Sequence, residues 1–246
     1  MKPIAVIIPT FCMPERTDAL VSHLLKHSAD VVEIIVVDNG SIPEHRYKSA
    51  SVILRENVQT THGWLAGLCH ADALERKYHG SFEGYLIGIT SAEIPQNSGD
   101  IITPMLDFMN TRYDAVAFSP ALTLDSTTSW EHMKVKDHGW RTTWMLDNIF
   151  TLYRAAWLNS IARFDPDLIY AWGTDLETSL KARTAGRSLW ICDDLQVRKV
   201  TDIGYTMDRM GMDAEDRKVR ARKNMDDVLT DKYGKGWKKL MYSEDK

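Results

Sequence analysis

The stretch Trp172–Gly186, WGTDLETSLKARTAG, carries two carboxylates, Asp175 and Glu177, directly after a Gly-Thr pair. A carboxylate held at a cleft can take the proton of an attacking hydroxyl, a contribution of about 10²–10⁴-fold in rate. The same residues also suit the start of a helix. Thr174 is a good N-cap, and Asp175 and Glu177 would fall in the first turn, where the helix dipole favours negative charge by about 0.3–1 kcal/mol. Leu180, Lys181, Ala182 and Arg183 follow as good helix formers, and Gly186 suits the C-terminal stop. On local grounds both roles stay open for Asp175. Asp38 poses a similar choice. It ends an apolar run at Asp38-Asn39-Gly40-Ser41, where its carboxylate can either accept from a nucleotide's ribose or base, or close an Asx-turn on its own backbone.

The elements that would position these groups follow from hydrophobic pattern. Ile4–Ile8 (IAVII) and Val31–Val37 (VVEIIVV) are continuous β-branched runs, the mark of strands buried on both faces. Val52–Leu54, Tyr85–Ile89 and Ala115–Phe118 read as further strands, with helices over Thr17–His27, Trp64–Tyr78 and Asp100–Met109. This alternation predicts an α/β fold with a doubly wound, mostly parallel sheet flanked by helices. Ligands of such sheets bind outside the carboxyl ends of the strands, which gathers Pro9–Phe11, Asp38–Ser41 and Thr90–Glu93 around one crevice. Leu124–Trp144 lacks periodicity and reads as a long loop or lid beside a short strand. Phe150–Tyr153 and Leu189–Cys192 read as strands, and Asp208–Tyr233 as a charged helix or helix pair. No linker or repeat divides the chain. It is expected to be a single domain over 1–246, with a nucleotide-binding half (1–120), an acceptor and catalytic half (121–205) and a C-terminal helical extension (206–246).

Composition narrows the class. The 246 residues are 44% hydrophobic and 26% charged, with a net charge of −4, ordinary for a soluble globular protein and unlike a basic nucleic-acid binder. No run approaches the ~20 apolar residues of a membrane span, and the N-terminal apolar run is too short for a signal peptide. Cys12, Cys69 and Cys192 have no metal or redox spacing. A cytoplasmic location is the expectation.

The motifs in order, IAVIIPTF, VVEIIVVDNGS, NVQTTHGWLAGL and FDPDLIYAWGTDLETSLKARTAG, resemble those of the inverting, rhamnosyltransferase-like GT-A glycosyltransferases of family 2. The resemblance covers about residues 3–200. It implies a sugar transferred with inversion from a nucleotide-sugar co-substrate to an acceptor hydroxyl of a glycan, a protein or a nucleic-acid base. Pro9, Thr10 and Asp38 then hold the donor nucleotide, with Gly63, Thr90, Ser91 and Lys199 completing the donor site. Asn57, Gly63 and Trp64 resemble an Asn…Gly-aromatic motif, although the gap after Asn57 is longer than in the family. In the Glu-Asp motif, Thr174 stands where Glu is common, and Asp175 falls on the Asp, the family's candidate general base. Trp144, Asp147, Trp172 and Glu177 are the candidate acceptor contacts.

One motif departs from the pattern. Family members usually end the fourth strand with a DxD that binds Mn²⁺ or Mg²⁺, whereas YLIGITSAEIP places Thr90, Ser91 and Ala92 there, with Glu93 one position out of register as the remaining candidate metal ligand. Hard cations prefer carboxylate oxygens. The family's later ligand His is also missing, and DLQVRKV offers Arg198 and Lys199 instead. Either these are plain surface charges, or protein cations replace the metal in balancing the diphosphate. On the second reading the metal is dispensable and Lys199, nearest the His position, faces the cleft. The basic run Arg217, Lys218, Arg220, Arg222 and Lys223 is a solvated helix face by default, or a surface for a phosphate-rich acceptor. His23 and His27 read as a surface pair. Two rivals remain: a nucleotide-sugar or glycan-binding protein on the same scaffold without catalysis, and a nucleotidyltransferase, which would need a basic triphosphate loop near the first strand.

Overall fold

The structure, a computed structural model, describes residues 2–200 and 213–243. Its centre is strand β1 (Ile4–Thr10), every residue of which is buried. β1 pairs in parallel with β2 (Val32–Asp38) and with β4 (Gly84–Gly88), and β2 carries β3 (Val52–Ile53) on its outer edge. The sheet continues from β4 through antiparallel β8 (Phe150–Arg154) to β6 (Ala115–Leu122) and then β9 (Ser188–Lys199), which runs parallel to β6. Two short strands, β5 (Ala92–Glu93) and β7 (Trp140–Thr143), pair antiparallel with β9. Six of these nine strands therefore run in one direction, and only β5, β7 and β8 oppose them. Helices α1 (Pro14–Ser28) and α2 (Gln59–Tyr78) pack on β1 and β2, and α3 (Ile102–Thr111) on β6. The expected mixed α/β architecture with a mostly parallel sheet is the one observed.

Differences from expectation lie where polar residues join regular elements. β9 extends through Lys199 rather than stopping at Cys192, because the register shifts between Pro120 and Ala121 and lets Asp193–Leu195 bulge out of the ladder. The buried Asp193 carboxylate is taken by Arg141 at 2.9 and 3.2 Å. α2 starts five residues before Trp64, at Gln59, whose φ of +66° turns the chain into the helix. The segment 124–144 is no free lid. Thr123 and Thr127 donate backbone hydrogen bonds to Val197 and Lys199, and the half-buried Trp140 stacks on Phe108 at 3.9 Å against the core.

The second half adds α4 (Ala155–Ser160), α5 (Thr174–Thr184), α6 (Ala214–Tyr233) and α7 (Trp237–Met241). A second apolar cluster joins α5 to α6 and α7 through Leu176, Leu180, Leu229, Trp237 and Met241. The expected helix from Asp208 begins at Ala214, and its first residues lie outside those described. Among the described residues no helix is long and apolar enough to cross a membrane.

Two glycines set the geometry beside the crevice. Gly40 turns the chain after β2 at φ +76°, and a Cβ there would stand 2.2 Å from the backbone carbon of Glu56. Gly173 leads into α5 at φ +88°, where a Cβ would meet Met225 and Leu229 of α6. Gly40→Ala should therefore combine left-handed strain with a backbone clash and lower unfolding stability in urea by about 2 kcal/mol or more. A loss under about 0.5 kcal/mol would show that the turn accommodates a side chain freely.

Candidate active site

The carboxyl ends of β1, β2, β4 and β9 open into one cavity of about 720 Å³. Pro9, Thr10, Asn39, Thr90, Ser91 and Lys199 line it from the sheet, Asn57, Gln59, Thr60 and Trp64 from the start of α2, and Asp147, Trp172 and Asp175 from the second half. Arg217, Lys218 and Arg222 face it from α6, and Trp130 and Tyr242 from its rim. Eight of the sequence-derived candidates thus meet in one place: Pro9, Thr10, Thr90, Ser91, Asp147, Trp172, Asp175 and Lys199.

The others are placed differently. Asp38 is fully buried below the lining, and its two oxygens accept from the amides of Ser41 (2.9 Å) and Tyr47 (3.1 Å). This is the Asx-turn alternative, and the cavity wall at this strand end is the next residue, Asn39. The Asn39 amide accepts from Val58 N and donates to Gln59 O, both at 3.0 Å, tying β2 to the start of α2. Gly63 lies behind the lining, where its bare Cα lets α2 approach Pro9; a Cβ would stand 2.9 Å from that ring.

Trp144 is not in the cavity wall. It packs behind Trp130 at a centroid distance of 6.0 Å and against His132. Glu177, expected among acceptor contacts, points away from the cavity into the contact between α5 and α6. Glu93 does not reach a metal position either: Arg16 (2.5 Å) and Arg198 (3.4 Å) hold its carboxylate. Thr174 is the first helical residue rather than the cap, a position taken by Gly173. His23 and His27 lie ring against ring, tilted by 37° with centroids 4.6 Å apart.

Asp175 is 8% exposed, at the first turn of α5. Its Oδ1 accepts from Leu176 N at 2.9 Å. Burial, with the negative charge of Asp147 added to it, pushes its carboxyl up to about 7; the Leu176 amide and the Lys199 ammonium oppose this only in part. Lys199 Nζ stands 3.4 Å from Asp147 Oδ2. Neighbouring side chains fix the geometry. Tyr153 OH donates to Asn148 Oδ1 at 2.5 Å, and Asn148 Nδ2 donates to Thr174 Oγ1 at 3.2 Å. Burial raises the Tyr153 phenol well above its ordinary range, so it stays a donor. Sequence reasoning missed Asn148 and Tyr153, which lie in apolar surroundings without a motif.

Arg198 and Lys199 point to opposite sides of the β9 edge, as strand alternation requires. Arg198 pairs with Asp125 at 2.8 Å on the outer side. Lys199 faces the cavity, and Val200 N bonds Ser91 O at 2.9 Å, setting the lysine beside Thr90 and Ser91.

The fold is GT-A-like. Among solved structures the chain resembles GalNAc-T7 in complex with UDP, GalNAc and Mn²⁺ (TM-score 0.59, 12% identity, covering 82% of this chain and 44% of that one). It also resembles the mannosyltransferase PcManGT from Pyrobaculum calidifontis in complex with GDP-Man and Mn²⁺ (TM-score 0.59, 13% identity, covering 97% of this chain and 73% of that one). The chain thus spans less than half the length of the first of these proteins. No protein-family model and no curated protein sequence matches it.

The Mn²⁺ of those structures has no counterpart ligand set among the described residues. No group of three or more His, Cys, Asp or Glu side chains converges there. Thr90 and Ser91 bring hydroxyls where hard cations prefer carboxylates, and Glu93 is already paired with two arginines.

α5 is pinned from behind. Lys232 of α6 bridges Asp165 (2.5 Å) and the buried Glu177 (2.9 Å), and Tyr233 OH donates to the same Glu177 oxygen at 2.9 Å. Burial works against the lysine's charge, but these two carboxylates hold it protonated well above its usual range. Lys232→Met should leave two buried carboxylates short of a partner and cost about 3 kcal/mol or more in urea unfolding. An unchanged midpoint would mean that Lys181, 3.3 Å from Glu177, suffices alone.

The Asp175 shift also has a stability consequence. The folded chain keeps this proton up to about pH 7, whereas an unfolded Asp loses it near 4. Folding therefore becomes less favourable as pH rises from about 4 to 7, and the penalty persists above that. Asp175→Asn removes it, so the variant's stability relative to the parent should rise steadily between pH 4 and pH 8. Parallel stability profiles would show an ordinary carboxyl.

Proposed function

We propose that this chain is a glycosyltransferase that moves a hexosyl or deoxyhexosyl group from a nucleotide-sugar donor to an acceptor hydroxyl with inversion, in the manner of the family 2 enzymes. The observation that carries the reading is Asp175, a desolvated carboxylate beside Asp147 and Lys199 at the strand-end cavity of a GT-A-like sheet. A carboxyl poised near 7 combines an available base form with enough basicity to take a proton.

In the proposed step the acceptor oxygen attacks the anomeric carbon while its proton passes to Asp175. The bond from that carbon to the donor's terminal phosphate oxygen breaks, and the electron pair leaves with the nucleoside diphosphate. Lys199, beside the Thr90 and Ser91 hydroxyls, meets the developing charge in place of a metal. Pro9, Thr10 and Asn39 hold the nucleotide, with Asp38 supporting Asn39 from below. Asp147, Trp172 and the rim Trp130 face the acceptor. Chain-wide, this makes the protein one domain with a donor half and an acceptor half. It acts on a UDP- or GDP-linked sugar, a reading supported by the UDP and GalNAc held by one structural neighbour and the GDP-Man held by the other, without requiring Mn²⁺.

Four outcomes are expected for donor turnover, followed as nucleoside diphosphate release. Asp175→Asn should lower it about 10²-fold or more with donor binding retained, and the parent's rate should climb with pH through about 7 as the base loses its proton. Lys199→Ala should cut turnover about tenfold or more, while EDTA costs less than about tenfold. Abolition by EDTA with rescue by Mn²⁺ would overturn the charge-replacement mechanism. Donor binding with no turnover under any condition would favour the binding-protein alternative instead.

A further inference from the structure

α6 carries eleven side chains charged at neutral pH, and several of them pair with one another: Lys218 with Glu215 at 3.4 Å, and Lys223 with Asp227 at 2.5 Å. Arg217 and Arg222 behave differently. Both face the cavity, and among the described residues neither guanidinium has a carboxylate partner. Each lies instead on an aromatic ring of the opposite wall, Arg217 over Tyr170 and Arg222 over Trp172, both at 6.0 Å from the ring centroid. Arg217 Nε is buried without an acceptor, and burial holds its guanidinium below the ordinary range. An unpaired, partly desolvated cation costs stability unless an anion completes it. The planar fork of arginine, steadied on an aromatic face, matches the oxygen pairs of a phosphate.

We infer that Arg217 and Arg222 form a phosphate-binding site on the helical wall of the cavity, distinct from Lys199 on the sheet wall. It rests on the reading of this cavity as the substrate site. Two phosphates could fill it: the diphosphate of the donor, or a phosphate borne by the acceptor. Among the described residues the helical wall adds two cations without carboxylate partners to a cavity in which Lys199 is already shared with Asp147, so it offers an anion two cations that no carboxylate occupies.

The test is calorimetric titration of the full chain at low ionic strength with sodium phosphate and with sodium pyrophosphate. Each is run alone and with saturating UDP or GDP, on the parent, Arg217→Gln, Arg222→Gln and the double variant. Each single change should raise the dissociation constant of the bound anion about tenfold, and the double change about a hundredfold. Phosphate that still binds beside the nucleoside diphosphate, and is lost in the variants, assigns the site to an acceptor phosphate. Competition between them, with nucleoside diphosphate binding itself weakened in the variants, assigns it to the donor. Unchanged anion affinity in a folded double variant, or no anion binding by the parent, overturns the site. Should the double variant melt early, Arg217→Lys with Arg222→Lys serves in its place. It keeps the charge but loses the fork, and should bind more weakly than the parent, whereas equal affinity overturns the site. Anion binding lost in the variants, together with no affinity for any nucleotide sugar, would leave the phosphate site standing and remove the glycosyltransferase reading.

Discussion

Keeping the Asp175 carboxylate out of water is the constraint on which the rest of this structure depends. A buried carboxylate is costly, and here a second one, Asp147, stands close enough to raise the cost. The chain tolerates this because the site is rigid from several directions. Gly173 gives α5 its entry angle, the Tyr153–Asn148–Thr174 chain of hydrogen bonds fixes the first turn, and Lys199 offers partial compensation. A carboxyl that had only to cap a helix would sit at lower energy in solvent. Asp175 does bond a first-turn amide, that of Leu176, but its burial beside Asp147 goes beyond what capping needs, and this supports the proposed base role.

The same logic explains why a charged helix is fastened over the site. α6 has few buried apolar residues, chiefly Ala221 and Leu229, so packing alone holds it weakly. Lys232 and Tyr233 secure its far end to Glu177 and Asp165, leaving the near end to present Arg217 and Arg222 to the cavity. Glu177 therefore contributes to the site from behind, by fixing the helix that bears Asp175 and the helix that roofs it.

Much of this was legible in the sequence. Unbroken β-branched runs such as IAVII can be little other than strands buried on both faces, and their order predicted the sheet and the strand ends at which its cavity opens. Alternation allows only one of Arg198 and Lys199 to face the cleft, and the choice of Lys199 came from its place nearest the family's His position. What was not legible depends on contacts between distant segments. Asp38 and Asn39 are equally plausible at a strand end, and only the Tyr47 amide, arriving from beyond the turn, decides that Asp38 is consumed internally. Glu177 is two residues from Asp175, yet the helix turns them apart by some 200°, so one faces the cavity and the other α6. Trp130, Trp140 and Trp144 look alike in sequence, but one lines the rim, one stacks on Phe108 against the core and one backs the rim. The reach of β9 to Lys199 was hidden by the acidic bulge at Asp193–Asp194.

On the proposed reading, hydroxyls at Thr90 and Ser91 together with cations at Lys199 and on α6 make a consistent exchange, protein charge for metal charge, around the same leaving group. That reading keeps a base on one side of the anomeric carbon and the diphosphate on the other. Proton NMR of the first product formed from an α-linked nucleotide sugar tests this account most directly. With the parent the newly released or transferred sugar should appear as the β anomer before it equilibrates, and Asp175→Asn should form it at least about a hundredfold more slowly. An α product, or a β product formed by Asp175→Asn at the parent's rate, would contradict it.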